Sequence, residues 1–265
     1  MKADAPAKIN LALVVGPRRS DGKHELVTVF QRLDLADRIT VEPSDAMVVD
    51  GFSQDTLVAA ALGTLEAPHA WRATIDKRIP VAAGLGGGSS DAAAALQLGN
   101  AQLAQPLDDG RLHALASDLG ADVPFFLRQG PQLGTGDGTT LEPLRLPQEY
   151  AVCLLLPQGV EKESTGEVYE AFDRRDGAAG FDARAAALRD ALAGVARAAD
   201  LCTLPPNDLA SSPHAAALLE HGAFRADVSG AGPAVYGLFA DRQTAARAAR
   251  ALASRGACFV ANPAW

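Results

Sequence analysis

The sequence predicts an α+β protein of two domains, and three observations carry that expectation. The chain has 265 residues, and a typical domain has about 150. Apolar residues make up 48% and charged residues 21%, a balance that supports packed cores and argues against disorder. Strand-like and helix-like patterns occur in both halves, and the pattern is interrupted near 146–149, where Pro147 and polar residues intervene. The expected domains are therefore 1–147 and 148–265.

The elements follow in order. Residues 8–15 alternate as a strand, and 28–35 and 38–42 read as two more, rich in β-branched or aromatic residues. Residues 55–65 put Leu57, Ala61 and Leu65 on one helical face. A strand at 71–76 leads into a glycine-rich run at 80–91 and an Ala- and Leu-rich helix to about Leu103. Residues 109–119 form a helix that Gly120 closes. The second half opens on the apolar run 150–156, with an amphipathic helix at 183–199 and a short helix at 214–221. The tail reads strand (224–229), glycine turn (230–232), strand (234–239), helix (242–254) and strand (258–261). That order resembles a ferredoxin-like half.

Charge and cysteine usage exclude several functions. A formal charge of −8 disfavours nucleic-acid binding, which needs a dense basic face. Cys153, Cys202 and Cys258 show no CxxC spacing and read as reduced thiols of a cytoplasmic protein. The five histidines show no metal-ligand spacing, so metal ligands stay unassigned. Lys8 and Asn10 interrupt what would be the apolar region of a signal peptide. No apolar run approaches the ~18 residues a membrane span needs. Oligomeric state is not readable.

The glycine run Gly84-Leu85-Gly86-Gly87-Gly88-Ser89-Ser90-Asp91 is the strongest local feature. Glycine tolerates positive φ, so successive backbone N–H groups can face one anion. The following helix adds its unpaired N–H groups and the positive end of its dipole. Ser89 and Ser90 can cap the helix, bind phosphate oxygens or hold a nucleotide's metal ion. The same residues also suit a flexible loop before a capped helix. The run lacks the lysine of a Walker loop and the spacing of a dinucleotide fingerprint.

Three motifs carry a family resemblance. Residues 80–93, PxxxGLGGGSSDAA, resemble the ATP-phosphate motif of the GHMP kinases. Residues 6–11, PAKINL, resemble the family's N-terminal motif, and Ser229-Gly230-Ala231-Gly232-Pro233 resembles its C-terminal glycine motif. The resemblance implies a two-domain GHMP kinase fold, with an N-terminal ribosomal-protein-S5-like ATP-binding domain and a C-terminal ferredoxin-like domain. It implies ATP with Mg²⁺ and phosphorylation of an alcohol. DGKHEL at 21–26, DKRIP at 76–80, LGADVPFF at 119–126 and Asn207-Asp208 resemble the family's cytidyl branch. That branch phosphorylates the 2-hydroxyl of 4-diphosphocytidyl-2-C-methyl-D-erythritol for isoprenoid precursors. The implied partner is then a small molecule with a cytidine diphosphate moiety, not nucleic acid or a membrane. Homoserine, mevalonate or a sugar as acceptor, or ligand binding without turnover, are the alternatives.

The resemblance also implies the site. It places the catalytic pair at Lys8 and Asp122. ATP falls to Pro80, Gly84, Leu85, Gly86, Gly87, Gly88, Ser89 and Ser90, with Lys77 beside them. The substrate falls to Asn10, His24, Phe30, Thr165 and Tyr169. On residue type alone, Asp122 also suits a loop or cap carboxylate, Lys8 a strand-end lysine, His24 a turn histidine, and Phe30 and Tyr169 core. Three positions depart from the cytidyl pattern: Lys23 stands for tyrosine, Thr56 for asparagine and Thr139 for glutamate. Lys23 is a candidate contact for the substrate's diphosphate.

Overall fold

The computed structural model describes residues 1–52, 57–160 and 164–265. The expected helix start at Asp55 and the departure at Thr56 lie outside them. By packing, the chain forms two compact units, each drawn from several stretches.

Unit one comprises Met1–Ala7, Leu35–Val81 and Gly86–Gln129. It holds the start of β1 (Lys2–Arg18), the end of β2 (His24–Ser44), β3 (Val48–Asp50), α1 (Leu57–Gly63), β4 (Ala70–Asp76), α2 (Gly87–Asn100), α3 (Asp109–Leu119) and α4 (Val123–Phe126). The end of β2 runs antiparallel to β4 from Arg38↔Asp76 to Ser44↔Ala70, and β3 pairs β4 in parallel. Ile39 and Val41 of β2 are fully buried while Arg38 and Glu42 are exposed, the two-residue period of a sheet with one covered face.

Unit two comprises Lys8–Asp34, Ala82–Leu85 and Gly130–Trp265. Besides the rest of β1 and β2 it holds β5 (Gln132–Gly136), β6 (Thr140–Pro143), β7 (Ala151–Pro157), α5 (Thr165–Arg174), α6 (Phe181–Ala193), a 3-10 turn (Ala198–Thr203), α7 (Pro213–Glu220), β8 (Arg225–Val228), β9 (Val235–Phe239), α8 (Arg242–Ala251), β10 (Gly256–Ala261) and β11 (Pro263–Ala264). Strands β10, β7, β9 and β8 lie in that order, every pair antiparallel. With α7 after β7 and α8 before β10, this is the ferredoxin-like arrangement expected of the tail, with α5 and α6 inserted after its first strand.

Several elements differ from expectation. The two strands expected at 28–35 and 38–42 are one strand, β2. Asp34 and Asp37 break the apolar pattern without breaking the strand, because both are bonded. Asp34 accepts from the Asn262 backbone N–H and side-chain amide, each at 2.7 Å, and Asp37 accepts from the Ile79 N–H at 2.7 Å. The helix expected at 183–199 starts at Phe181 and stops at Ala193, with Gly194 as its C-cap. Among the described residues, no helix is long and apolar enough to cross a membrane.

Candidate functional site

Gly84 and Leu85 belong to unit two, and residues 86–90 of the same run belong to unit one. In unit two the three motif segments meet. The Lys8 N–H donates to the Leu85 carbonyl at 2.9 Å, and the Ala234 N–H to the Ala83 carbonyl at 3.0 Å. Ser229 Oγ donates to the Gly84 carbonyl at 3.0 Å. The fit at Gly84 is closed to any side chain: its φ is 80°, and an added Cβ would lie 2.7 Å from the carbonyl oxygens of both Ser229 and Gly232. Gly230 also comes near the first motif, since a Cβ there would lie 3.3 Å from Asn10 Oδ1 and 3.5 Å from Lys8 Nζ. Asn207 shapes this turn by donating its amide to the carbonyls of Val228 (3.0 Å) and Gly230 (2.6 Å).

Lys8 and Asn10 share a face of β1, and both are only 4% exposed. Lys8 Nζ donates to Asn10 Oδ1 at 2.7 Å, Asn10 Nδ2 to Thr28 Oγ1 at 2.8 Å, and Thr28 Oγ1 to the Ala12 carbonyl at 2.8 Å. This chain fixes which way the Asn10 amide points. Thr28 is the member that sequence reasoning missed, since a threonine in a strand carries no signal beyond β-propensity. Phe30 is buried, with its ring centroid 5.7 Å from Lys8 Nζ, so its face meets the ammonium.

In unit one the run opens α2. Gly86 is the N-cap in the left-handed region (φ 71°), with no side-chain cap bond, so Ser89 and Ser90 lie inside the first turn and do not cap it. Ser90 Oγ is buried and has no hydrogen-bond partner among the described residues. Lys77 lies close by: a Cβ added at Gly87 would be 3.1 Å from its Nζ. Lys77 Nζ donates to Asp37 and Asp91 at 2.6 Å each. Burial works to lower the Lys77 pKa, and the hydrogen bonds to Asp37 and then Asp91 outweigh it, so the pKa is raised above the ordinary lysine value. Asp122, also in unit one, is half-buried at the N-cap position of α4, where it makes no side-chain cap bond.

Of the expected substrate residues, Tyr169 is in contact with His24. The His24 Nε2 lies 2.8 Å from Asp173 Oδ1, and its ring stacks on Tyr169 with centroids 4.7 Å apart and planes at 27°. Thr165 is exposed at the first turn of α5. Two departures from the family pattern meet at one carboxylate. Lys23 Nζ donates to Asp137 Oδ2 at 2.5 Å, and Thr139 donates to Asp137 Oδ1 through its hydroxyl (2.7 Å) and its N–H (3.2 Å). Partial burial works to raise the Asp137 pKa, but the Lys23 and Thr139 bonds outweigh it and hold the carboxyl at about 2. The Lys23 ammonium is thus engaged by Asp137.

Comparison with known proteins places the chain in a family. Residues 55–130 match the family described as GHMP kinases N terminal domain, and residues 215–258 match GHMP kinases C terminal. A 4-diphosphocytidyl-2-C-methyl-D-erythritol kinase of Corynebacterium efficiens is 38% identical, over 99% of this chain and 92% of that one. Among solved structures, a 4-(cytidine 5'-diphospho)-2C-methyl-D-erythritol kinase is 36% identical, with a TM-score of 0.80 over 100% of both chains. A mevalonate kinase structure, at 12% identity and a TM-score of 0.72 over 100% of this chain and 99% of that one, shares the fold. The chain belongs to the GHMP kinase family.

Proposed function

We propose that the protein transfers the γ-phosphoryl group of ATP to the 2-hydroxyl of 4-diphosphocytidyl-2-C-methyl-D-erythritol, a step toward isoprenoid precursors. The observation that carries this reading is the meeting of three motif segments in unit two, at Lys8 and Asn10, at Gly84 and Leu85, and at the 229–232 turn. The relatives named for that reaction, at 36–38% identity over nearly the whole chain, support the choice of substrate. The free cysteines and the negative charge suit a cytoplasmic enzyme working on a small molecule.

The residues present fit a nucleotide's phosphates. Gly84, Gly86, Gly87 and Gly88 carry no side chain that would keep an anion from their backbone N–H groups. The first turn of α2 offers amides without intrahelical acceptors and the positive end of the helix dipole. The Ser90 hydroxyl, which has no hydrogen-bond partner among the described residues, is a group that a bound phosphate or its Mg²⁺ would satisfy. When bound, Mg²⁺-ATP supplies the phosphoryl group and neutralises its charge. Asp122 accepts the proton of the attacking hydroxyl, as the resemblance implies. Lys8, positioned by its hydrogen bond to Asn10, steadies negative charge at the reacting oxygens, and Asn10 orients the polyol.

The experiment measures ADP release with 4-diphosphocytidyl-2-C-methyl-D-erythritol, homoserine and mevalonate in parallel, with Asp122→Asn as control. The reading expects turnover on the cytidyl compound alone. Turnover on another alcohol moves the substrate, turnover that persists in Asp122→Asn removes Asp122 from the catalytic role, and no turnover on any of the three overturns the reading.

A further inference from the structure

We infer that Asp173 is a positioning residue that sets base specificity through His24, by holding the imidazole so that Nδ1 accepts a hydrogen bond from an exocyclic amine. This rests on the cytidyl reading above and asks what in unit two would tell cytosine from uracil.

Helix α5 grips one imidazole from three directions. Tyr169, Phe172 and Asp173 are spaced i, i+3 and i+4, so they share a helical face. Tyr169 covers the His24 ring face at 4.7 Å, Phe172 meets it edge-on at 6.1 Å and 87°, and Asp173 Oδ1 lies 2.8 Å from Nε2. Phe172 is 1% exposed and anchors the helix, while the His24 side chain is only 4% exposed. The ring therefore has little freedom to rotate.

The chemistry follows from the inventory of the two groups. An ionised carboxylate only accepts, so the nitrogen facing it carries the proton. In the neutral imidazole the other nitrogen then holds a lone pair. Among the described residues no hydrogen bond uses Nδ1. A fixed acceptor favours a base that presents N–H at that edge. Cytosine carries an amine at C4, whereas uracil carries a carbonyl, whose oxygen would face the lone pair. An acceptor left opposed to an acceptor costs enough for a preference of at least ~10-fold. Asp173 touches no substrate in this account. It acts by choosing the tautomer.

The test uses the full chain labelled with ¹⁵N, read by long-range ¹H–¹⁵N correlation at His24, together with the Kd of cytidine 5'-diphosphate and uridine 5'-diphosphate. The wild type should show Nε2 protonated and should bind the cytidine nucleotide at least ~10-fold more tightly. Asp173→Ala should mix the tautomers and reduce the preference to under ~3-fold. Asp173→Asn keeps an oxygen acceptor and should restore most of the preference. A protonated Nδ1 in the wild type, equal binding of the two nucleotides, or an undiminished preference in Asp173→Ala overturns the inference. The proposed reaction fails separately: a cytidine preference that depends on Asp173, without phosphorylation of the methylerythritol compound, sinks that reaction and leaves this inference standing.

Discussion

Lys77 donates to Asp91 at 2.6 Å, and to Asp37 at the same distance, where neither carboxylate side chain has any exposure to solvent. Two buried carboxylates share one ammonium, and Asp37 further accepts the N–H groups of Arg78 and Ile79. Removing Lys77 takes the shared ammonium away from both buried carboxylates, and breaking a buried ion pair in this way costs about 3–5 kcal/mol. Lys77→Met should therefore lower unfolding free energy by that order in urea titration, whether or not ATP is present. A change under ~1 kcal/mol would show the charges are compensated elsewhere. Such a result would return Lys77 to the role of neutralising nucleotide phosphate.

Asp137 gives a pH prediction. Its folded pKa of about 2 lies below the ~3.9 of an unfolded aspartate. A depressed folded pKa contributes stability that is present above ~4 and lost as pH falls toward ~2. Lys23 supplies part of that depression. The stability difference between wild type and Lys23→Ala should be present at pH 6 and shrink between pH 4 and 2, measured by urea titration at each pH. A difference that stays constant with pH would mean that Lys23 stabilises by packing and not through the Asp137 charge.

The tail was legible because its strands and helices are short, contiguous and punctuated by glycine, so Gly222 and the 230–232 turn marked its boundaries. Helix α5 was missed although its start was written in the chain. Ser164 and Glu167 form a capping box, with the Glu167 N–H donating to Ser164 Oγ and the Ser164 N–H to the Glu167 carboxylate. The β5–β6 hairpin was missed too, although Gly136-Asp137-Gly138 is a turn signal. Lys8, Asn10 and the glycine run could be found because polar or flexible residues interrupt apolar surroundings. Asp37, Thr28 and Asp173 could not, since each gains its meaning from a partner distant in sequence.

Gly84→Ala tests the close approach of the motifs in unit two. A Cβ would meet two backbone carbonyl oxygens, which cannot swing aside as a side-chain end can. The positive φ adds about 1–3 kcal/mol of strain for a non-glycine residue. The variant should lose at least that much stability and raise the ATP KM. Gly22→Ala is the control, because Gly22 has a φ of 83° but nothing within 4 Å of an added Cβ. It should pay the conformational term alone and leave the ATP KM unchanged. Equal losses in both variants would mean that backbone conformation, and not the packing of Gly84 on the 229–232 turn, sets the requirement.

Asp122→Asn separates chemistry from folding. Asp122 occupies the N-cap position of α4 with φ −85° and ψ −17°, and its side chain makes no cap hydrogen bond, so asparagine removes no cap. The two side chains are nearly the same size, and the residue is only half-buried. Stability should change by less than ~1 kcal/mol. The amide cannot take up a proton as the carboxylate does, so kcat should fall by about two to four orders of magnitude, the usual range for losing a general base. The ATP KM should move little, because the proposed phosphate contacts lie in the glycine run. A kcat loss under ~10-fold with folding intact would remove Asp122 from proton transfer. The hydroxyl would then lose its proton to solvent or directly to the departing phosphoryl oxygens, and Asp122 would be left an orienting role at most.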